Sequence, residues 1–153
     1  MKKYYLAYGS NLNVHQMKYR CPTAKVVGTA VIKDYKLLYK GSKTGSYLTI
    51  EKKKGSVVPV AVWEVTPQDE HSLDIYEGYP NFYYKKNMKI RLSETRKMID
   101  AFVYIMHEER RLGVPTPAYV STCKFGYTIF GFDFKHLDEA YEKSLKGVAN
   151  NEK

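Results

Sequence analysis

The first two thirds of the chain consist mainly of short segments in which β-branched and aromatic residues alternate with polar ones. This alternation is typical of strands with one buried face. It predicts strands over residues 3–8, 25–32, 36–39, 46–52, 57–65, 83–92 and 98–107. Turn residues at 53–56 and 93–95 separate two pairs of these segments, so two hairpins are expected there. Pro59 cannot donate a ladder hydrogen bond, which predicts a sheet edge or a bulge at the start of the 57–65 strand.

Four segments begin with a residue that commonly caps a helix, and in two of them proline follows the cap directly. The predicted helices cover residues 14–19, 67 to about 77, 117 to about 127, and 134 onward, after the caps Asn13, Thr66, Thr116 and Asp133. Apolar residues at 134, 137, 141 and 145 give the last helix a stripe at helical spacing.

The order of these elements indicates the fold class. Strands and helices are interspersed, but short turns join many neighbouring strands, which favours a mixed, mostly antiparallel sheet over a regular βαβ repeat. Closing five to seven short strands into a small barrel would remove exposed edges. We therefore expect an α+β fold with a small β-barrel and flanking helices, formed by one domain over residues 1–147 and followed by a polar tail, 148–153.

Composition narrows the class of protein. A hydrophobic fraction of 44% and a charged fraction of 27% are ordinary for globular proteins and argue against disorder. No apolar run approaches the roughly 20 residues that span a bilayer, and the lysines at positions 2 and 3 leave no signal-peptide core. A cytoplasmic protein without membrane contact is expected. Cys21 and Cys123 are too isolated for a disulfide framework, and the four histidines lack metal-ligand spacing.

The formal charge of +9 raises the question of a nucleic-acid partner. The lysines are scattered, and their densest cluster, at 52–54, is not interleaved with aromatic residues as a base-stacking surface would be. Nucleic acid is therefore not the expected partner. The 15 tyrosines are unusual in number. Most suit packing in strands, and some could line a polar cavity.

The first predicted strand ends in Tyr8-Gly9-Ser10-Asn11-Leu12. Successive N–H groups of such a turn can point into one concavity and hold an anion or a developing oxyanion. Leu12 is expected to anchor the turn in the core. An ordinary strand-to-helix connection is the alternative, because Gly, Ser and Asn are common turn residues.

Glu77 ends the second predicted helix, directly before the terminator Gly78. A carboxylate there faces the negative end of the helix dipole, and burial among tyrosines would raise its pKa further. A general acid/base that titrates near neutrality is the functional interpretation. The alternative is a solvated glutamate paired with Lys85 or Lys86. Asp74 could form a carboxylate couple with Glu77, or instead bond backbone or a lysine.

Two stretches together resemble the γ-glutamylcyclotransferase-like (AIG2-like) family: YGSNL at 8–12 after the first strand, and LDIYEG at 73–78 after a strand that contains tryptophan. Residues 29–37 and 60–65 are also similar to the family, although Ala61 stands where a glycine is expected. The resemblance covers about residues 3–127. It implies a small α+β barrel with one cavity and no metal or organic cofactor.

The resemblance also implies an activity and a site. The α-amine of a γ-glutamyl group would attack its own γ-carbonyl, releasing 5-oxoproline and an amine or amino acid. Glu77 would be the acid/base, and the implied substrate-binding residues are Tyr8, Gly9, Ser10, Asn11, Leu12, Tyr119 and Tyr127. Core packing is the alternative for the last two. The rim of the cavity, expected at loops 40–46 and 108–116, would select the leaving group.

Two other functions stay open at this stage. The same chemistry could remove a γ-glutamyl protecting group from a biosynthetic intermediate. Alternatively, the barrel could be a non-catalytic module that binds a small molecule or a protein.

Overall fold

A computed structural model describes residues 2–42 and 45–151 of the chain. Within these ranges the strands are β1 (Lys3–Ala7), β2 (Lys25–Ser42), β3 (Gly45–Val65), β4 (Tyr83–Arg91), β5 (Met98–Met106) and β6 (Arg111–Leu112). The helices are α1 (Val14–Arg20), α2 (Pro67–Glu77), α3 (Pro117–Phe130) and α4 (Lys135–Asn151), and a single 3-10 turn covers Ser10–Leu12. Residues 43 and 44 of the expected rim loop 40–46, and 152 and 153 of the expected tail, lie outside the described residues.

The strands form one mixed sheet in the order β4-β5-β1-β3-β2-β6. Only the β1–β5 pair is parallel among the pairs described, which confirms a mostly antiparallel sheet. The sheet curls until β2 meets the end of β4, where Ala30 and Leu92 form a bridge. The Ser93 N–H also donates to the Thr29 carbonyl at 2.8 Å. The result is an α+β fold built on a half-barrel, as the sequence predicted.

One of the two expected hairpins is present. β4 and β5 pair antiparallel from Tyr83–Met106 to Arg91–Met98, on either side of the predicted turn. The hairpin predicted at residues 53–56 is wrong, because 46–52 and 57–65 belong to the single long strand β3. Segments 25–32 and 36–39 likewise form one strand, β2, which pairs with β3 along its length.

A bulge explains the turn-like residues in these long strands. The register shifts between Lys33 and Tyr35, where Asp34 adopts a φ of 63°. The Asp34 carboxylate accepts a hydrogen bond of 3.0 Å from the N–H of Gly55, whose φ is 86°. Glycine at position 55 thus supports a bend that runs through both strands rather than a reversal of the chain.

Pro59 lies inside β3, opposite Val31 of β2. The pairing of β1 with β3 ends at Ala7–Ala61, so Pro59 falls just beyond it. The side of β3 away from β2 is therefore an edge at this position, which accommodates a residue without an N–H.

Helix α3 packs against the turn that follows β1, and helix α4 packs against the sheet. Helix α3 approaches this turn at Gly126, where an added Cβ would lie 2.5 Å from the Leu12 Cβ. Only glycine permits this contact, which holds the 3-10 turn in place. Helix α4 packs on β2, and its Ser144 hydroxyl donates to the Tyr39 carbonyl at 3.3 Å.

The last helix differs from its predicted pattern. Leu137 and Ala140 are buried, whereas Phe134 and Leu145 of the expected stripe are exposed. The helix also continues to Asn151, so residues 148–151 of the expected tail are helical.

Candidate active site

A cavity of about 270 Å³ opens where β1, the 3-10 turn, the end of α2 and the start of α3 meet. Its lining is mostly aromatic, with a few small or polar groups and one carboxylate. The lining residues are Tyr5, Tyr8, Gly9, Ser10, Asn11, Tyr47, Leu48, Tyr76, Glu77, Phe82, Tyr83, Tyr104 and Tyr119.

The turn at residues 10–12 presents its polar groups to this cavity. Its first hydrogen bonds run from the Leu12 N–H to the Gly9 carbonyl and from the Asn13 N–H to the Ser10 carbonyl, each 3.0 Å. The backbone N–H groups of Ser10 and Asn11 precede the first N–H that donates within the turn, so they have no acceptor inside it. Leu12 is fully buried beneath it and anchors it in the core.

Glu77 is the last residue of α2. The helix begins with a capping box between Thr66 and Asp69, and it ends at Gly78, whose φ of 64° is the left-handed conformation that glycine accepts easily. The Glu77 residue is half-buried overall, but its carboxyl group borders the cavity. Burial raises the pKa of this carboxyl to about 7, and the nearby Arg20 guanidinium partly opposes the rise.

Neither of the two lysines that could have neutralised Glu77 acts on its carboxyl. Lys85 lies 2.7 Å from Glu70 and 2.9 Å from Asp74, and Lys86 borders a separate groove. Asp74 also accepts a hydrogen bond of 2.6 Å from the Tyr104 hydroxyl. Asp74 is therefore bound to a lysine, as one of the two sequence interpretations proposed, and it is not a partner of Glu77.

A set of hydrogen bonds joins the turn to its surroundings. The Asn11 Nδ2 group donates to the Tyr5 hydroxyl at 2.8 Å and lies 3.5 Å from Glu77 Oε1. The Ser10 and Tyr76 hydroxyls are 3.1 Å apart. These contacts bring the early turn and the end of α2, more than 60 residues apart in sequence, to the same cavity.

The buried tyrosines form a wall of neutral hydroxyl groups. Tyr8 donates to the Tyr104 carbonyl at 2.7 Å, Tyr83 donates to the Leu48 carbonyl at 2.7 Å, and Tyr119 accepts from the Leu48 N–H at 3.1 Å. Burial raises the pKa of Tyr8, Tyr83 and Tyr119 well above the usual value of 10. At neutral pH these groups keep their protons and act through hydrogen bonds, so Glu77 is the cavity group that can exchange a proton.

The sequence profile of the gamma-glutamyl cyclotransferase, AIG2-like family matches residues 5–121, a range that contains both the turn and Glu77. The chain belongs to this family. Human and mouse gamma-glutamylcyclotransferases are 28% and 29% identical to it, over 97% of this chain and 79% of each relative. A solved structure of a gamma-glutamyl cyclotransferase superposes with a TM-score of 0.81 at 26% identity, covering 92% of this chain and 86% of that one. The family and the fold predicted from the sequence are thereby confirmed.

Two further properties accompany the family assignment. In residues 2–42 and 45–151, no helix combines the length and apolar character needed to cross a membrane. The same part of the chain brings no three His, Cys, Asp or Glu residues together in an arrangement that could hold a metal ion.

Six of the site residues predicted from the sequence border the cavity, and two do not. Those that border it are Tyr8, Gly9, Ser10, Asn11, Glu77 and Tyr119. Leu12 lies in the core below the turn, and Tyr127 is fully buried, with its ring 5.6 Å from that of Phe132. Tyr127 is a core residue of α3, next to Gly126, where the helix packs against the turn. The binding and catalytic roles of the six stay predictions.

Several cavity residues were not singled out from the sequence. They are Tyr5, Tyr47, Leu48, Phe82 and Tyr104, together with Arg20 beside the cavity. Alternation along a strand can assign residues such as Tyr5 and Tyr104 to one face of the sheet. Which part of that face becomes a cavity wall depends on the curl of the sheet, for which the sequence carries no local signal.

Proposed function

We propose that this protein is an enzyme that cyclises γ-glutamyl groups: the α-amine attacks the γ-carbonyl, releasing 5-oxoproline and an amine or amino acid. The observation that carries the proposal is the position of Glu77. Its carboxyl, with a pKa of about 7, borders the same small cavity as the turn from Gly9 to Asn11. Family membership supports the same chemistry.

The size of the cavity suits a small reacting group. A volume of 270 Å³ corresponds to roughly nine times the share of one water in the liquid. It lies just below the range of about 300–1,000 Å³ that is typical of sites for drug-sized ligands. A γ-glutamyl group would occupy the cavity, and the leaving group would extend through its opening.

Glu77 would transfer one proton in each half of the reaction. As the substrate nitrogen forms its bond to the γ-carbon, the amine proton passes to the carboxylate. When the original amide bond breaks, the carboxyl returns a proton to the departing nitrogen, and no net proton is consumed. A group that titrates near neutral pH can serve both steps. Holding the chain folded back on itself would supply much of the rate, because the attack is intramolecular.

The turn would stabilise the charge that develops on the γ-oxygen. Gly9, Ser10 and Asn11 line the cavity together with the tyrosines, and their backbone N–H groups are the candidate donors. Fixed N–H donors directed at a developing oxyanion are a strong source of rate acceleration. The hydroxyl of Ser10 and the amide of Asn11 are the candidate partners for the substrate α-carboxylate.

The decisive experiment compares the wild type with Glu77→Gln, using release of 5-oxoproline from γ-glutamyl amines, amino acids and peptides. We expect a loss of at least about 100-fold in kcat with an unchanged circular-dichroism spectrum. Glu142→Gln is the matched control, because Glu142 is exposed on α4, and its activity should equal that of the wild type. Full activity in Glu77→Gln would remove Glu77 from the mechanism.

The same panel tests the two other functions. Activity on one γ-glutamyl biosynthetic intermediate alone would favour the protecting-group function. No 5-oxoproline from any substrate, combined with a rise in melting temperature on adding a γ-glutamyl compound, would favour the binding module.

A further inference from the structure

Arg20, the last residue of α1, connects three elements around the cavity. Its guanidinium lies 3.4 Å from the centre of the Tyr76 ring on α2. The same group donates to the Asn11 side-chain oxygen in the turn and, at 3.4 Å, to Gln16 on its own helix. Arg20 is not itself among the residues that line the cavity. Its effect on the cavity therefore passes through the groups that it holds.

The chemistry of the guanidinium fixes the orientation of the Asn11 amide. A guanidinium has only donors, so the Asn11 oxygen must face Arg20. The amide nitrogen then has to face the opposite way, towards the Tyr5 hydroxyl at 2.8 Å and Glu77 Oε1 at 3.5 Å. Arg20 thus opposes a flip of the amide, which would turn its oxygen towards the Glu77 carboxylate and lose the hydrogen bond from the guanidinium.

The same orientation sets the role of Tyr5. Because the Tyr5 oxygen accepts from Asn11, its hydroxyl proton is left to donate in another direction. Tyr5 is buried, and its ring borders the cavity. Arg20, Asn11 and Tyr5 thus form a chain in which each group donates to the next, and such chains polarise one another.

Arg20 brings a positive charge close to Glu77, whereas most of the side chains around Glu77 are those of tyrosines. Tyrosines from several elements line the cavity with Glu77: Tyr5 from β1, Tyr8 directly after β1, Tyr76 from α2, Tyr83 from β4, Tyr104 from β5 and Tyr119 from α3. Among the described residues, Arg20 is the cation that acts on the Glu77 carboxyl, where it lowers a pKa that burial raises.

We propose that Arg20 is a positioning residue of the active site: through Asn11 it directs the amide N–H groups of Asn11 at the Tyr5 hydroxyl and Glu77, which leaves the hydroxyl proton of Tyr5 to donate towards the substrate. This inference deepens the proposed function, and its kinetic consequence rests on that function. The geometry of the amide does not, so it can be tested separately.

The test compares Arg20→Gln and Arg20→Lys with the wild type, because the two variants separate charge from shape. Lysine keeps the positive charge but loses the planar fork that holds the Asn11 oxygen and stacks on Tyr76. Lys18→Gln is the matched control, since it removes a positive charge from an exposed position on the same helix. The readouts are kcat, KM, the pKa of Glu77 from carboxyl carbon NMR, and the Asn11 side-chain amide resonances.

For Arg20→Gln we expect kcat to fall by about 10- to 100-fold with little change in KM, because a misplaced donor weakens the transition state rather than binding. The pKa of Glu77 should rise by about one, the lower end of the effect of a nearby opposite charge. In Arg20→Lys the pKa of Glu77 should stay near its wild-type value, whereas kcat should remain at least about tenfold below that of the wild type. Both variants should shift the Asn11 amide resonances, and Lys18→Gln should change none of these quantities.

A wild-type kcat in Arg20→Lys would overturn the proposal, because lysine lacks the planar fork, and so would unchanged Asn11 resonances in that variant. A drop in melting temperature without movement of the Glu77 pKa or the Asn11 resonances would assign Arg20 a purely structural role and also overturn it. If the wild type released no 5-oxoproline, the proposed function would fail. The NMR readouts would still decide whether Arg20 positions Asn11.

Discussion

The buried carboxyl of Glu77 should make the folded protein less stable as the pH rises from 5 to 8. Its pKa is raised from 4.5 to about 7 in the folded state, so between these values the folded chain binds more protons than the unfolded chain. Stability falls with rising pH wherever the folded state holds the extra proton. Glu77→Gln removes this titration. The free energy of unfolding of the variant should therefore increase relative to that of the wild type as the pH rises.

The magnitude follows from the two pKa values. Each pKa unit corresponds to about 1.4 kcal/mol, so the ionised carboxylate of Glu77 costs about 3 kcal/mol once the pH exceeds 7. At pH 5 the cost is below about 1 kcal/mol, because the pH then exceeds the pKa of this carboxyl in the unfolded chain only slightly. The free energy of unfolding of Glu77→Gln minus that of the wild type should therefore grow by about 2 to 3 kcal/mol between pH 5 and pH 8.

Urea unfolding of both proteins at several pH values measures this difference. Taking the difference cancels the contributions of carboxylates that both proteins share, such as Glu70 and Glu94, whose pKa values are lowered. In Glu142→Gln, a change at an exposed position, the free energy of unfolding should depend on pH as it does in the wild type. A constant difference between Glu77→Gln and the wild type across this range would show that Glu77 titrates normally, and the acid/base argument would lose its basis.

Three further predictions follow from the site and its support. The kcat/KM of the wild type should rise with pH to a plateau with a midpoint near 7, because the carboxylate of Glu77 must be ionised to accept the amine proton; a midpoint near 4.5 would contradict this. Gly126→Ala should lower the free energy of unfolding, measured with urea, by about 1 to 3 kcal/mol, because its Cβ would meet the Leu12 Cβ at 2.5 Å. Ser121→Ala, at an exposed position on the same helix, is the control and should leave the free energy of unfolding nearly unchanged. Tyr119→Phe should cost about 1 kcal/mol in the same assay, because it leaves a buried backbone N–H without its acceptor; unchanged stability would show that water replaces the hydroxyl.

Local signals in the sequence were strong enough to place most helices. Asn13, Thr66 and Thr116 each accept a hydrogen bond from the backbone N–H three residues on and begin α1, α2 and α3 as expected. Capping depends on a few adjacent residues, so it survives in any tertiary context. The same locality explains why Glu77 could be recognised at a helix end before Gly78.

The long strands show where local signals mislead. Residues 53–56, two lysines followed by a glycine and a serine, suggested a hairpin, yet they lie in β3 at a bulge opposite Asp34. Whether such residues reverse the chain or only bend it depends on the partner strand. The partner here is β2, and its matching bend keeps the two strands paired across the irregularity.

The sequence by itself determined the capped helices, the strand-rich first two thirds, the polar turn after β1 and the acid at the end of α2, because each depends on neighbours along the chain. Only the tertiary structure decided which tyrosines surround the acid, that Lys85 binds Asp74 instead of Glu77, and that Arg20 holds Asn11. These contacts join residues that the curl of the sheet and the close packing at Gly126 bring together. The pKa of Glu77 follows from that enclosure, since burial is a property of the folded molecule and not of the residue.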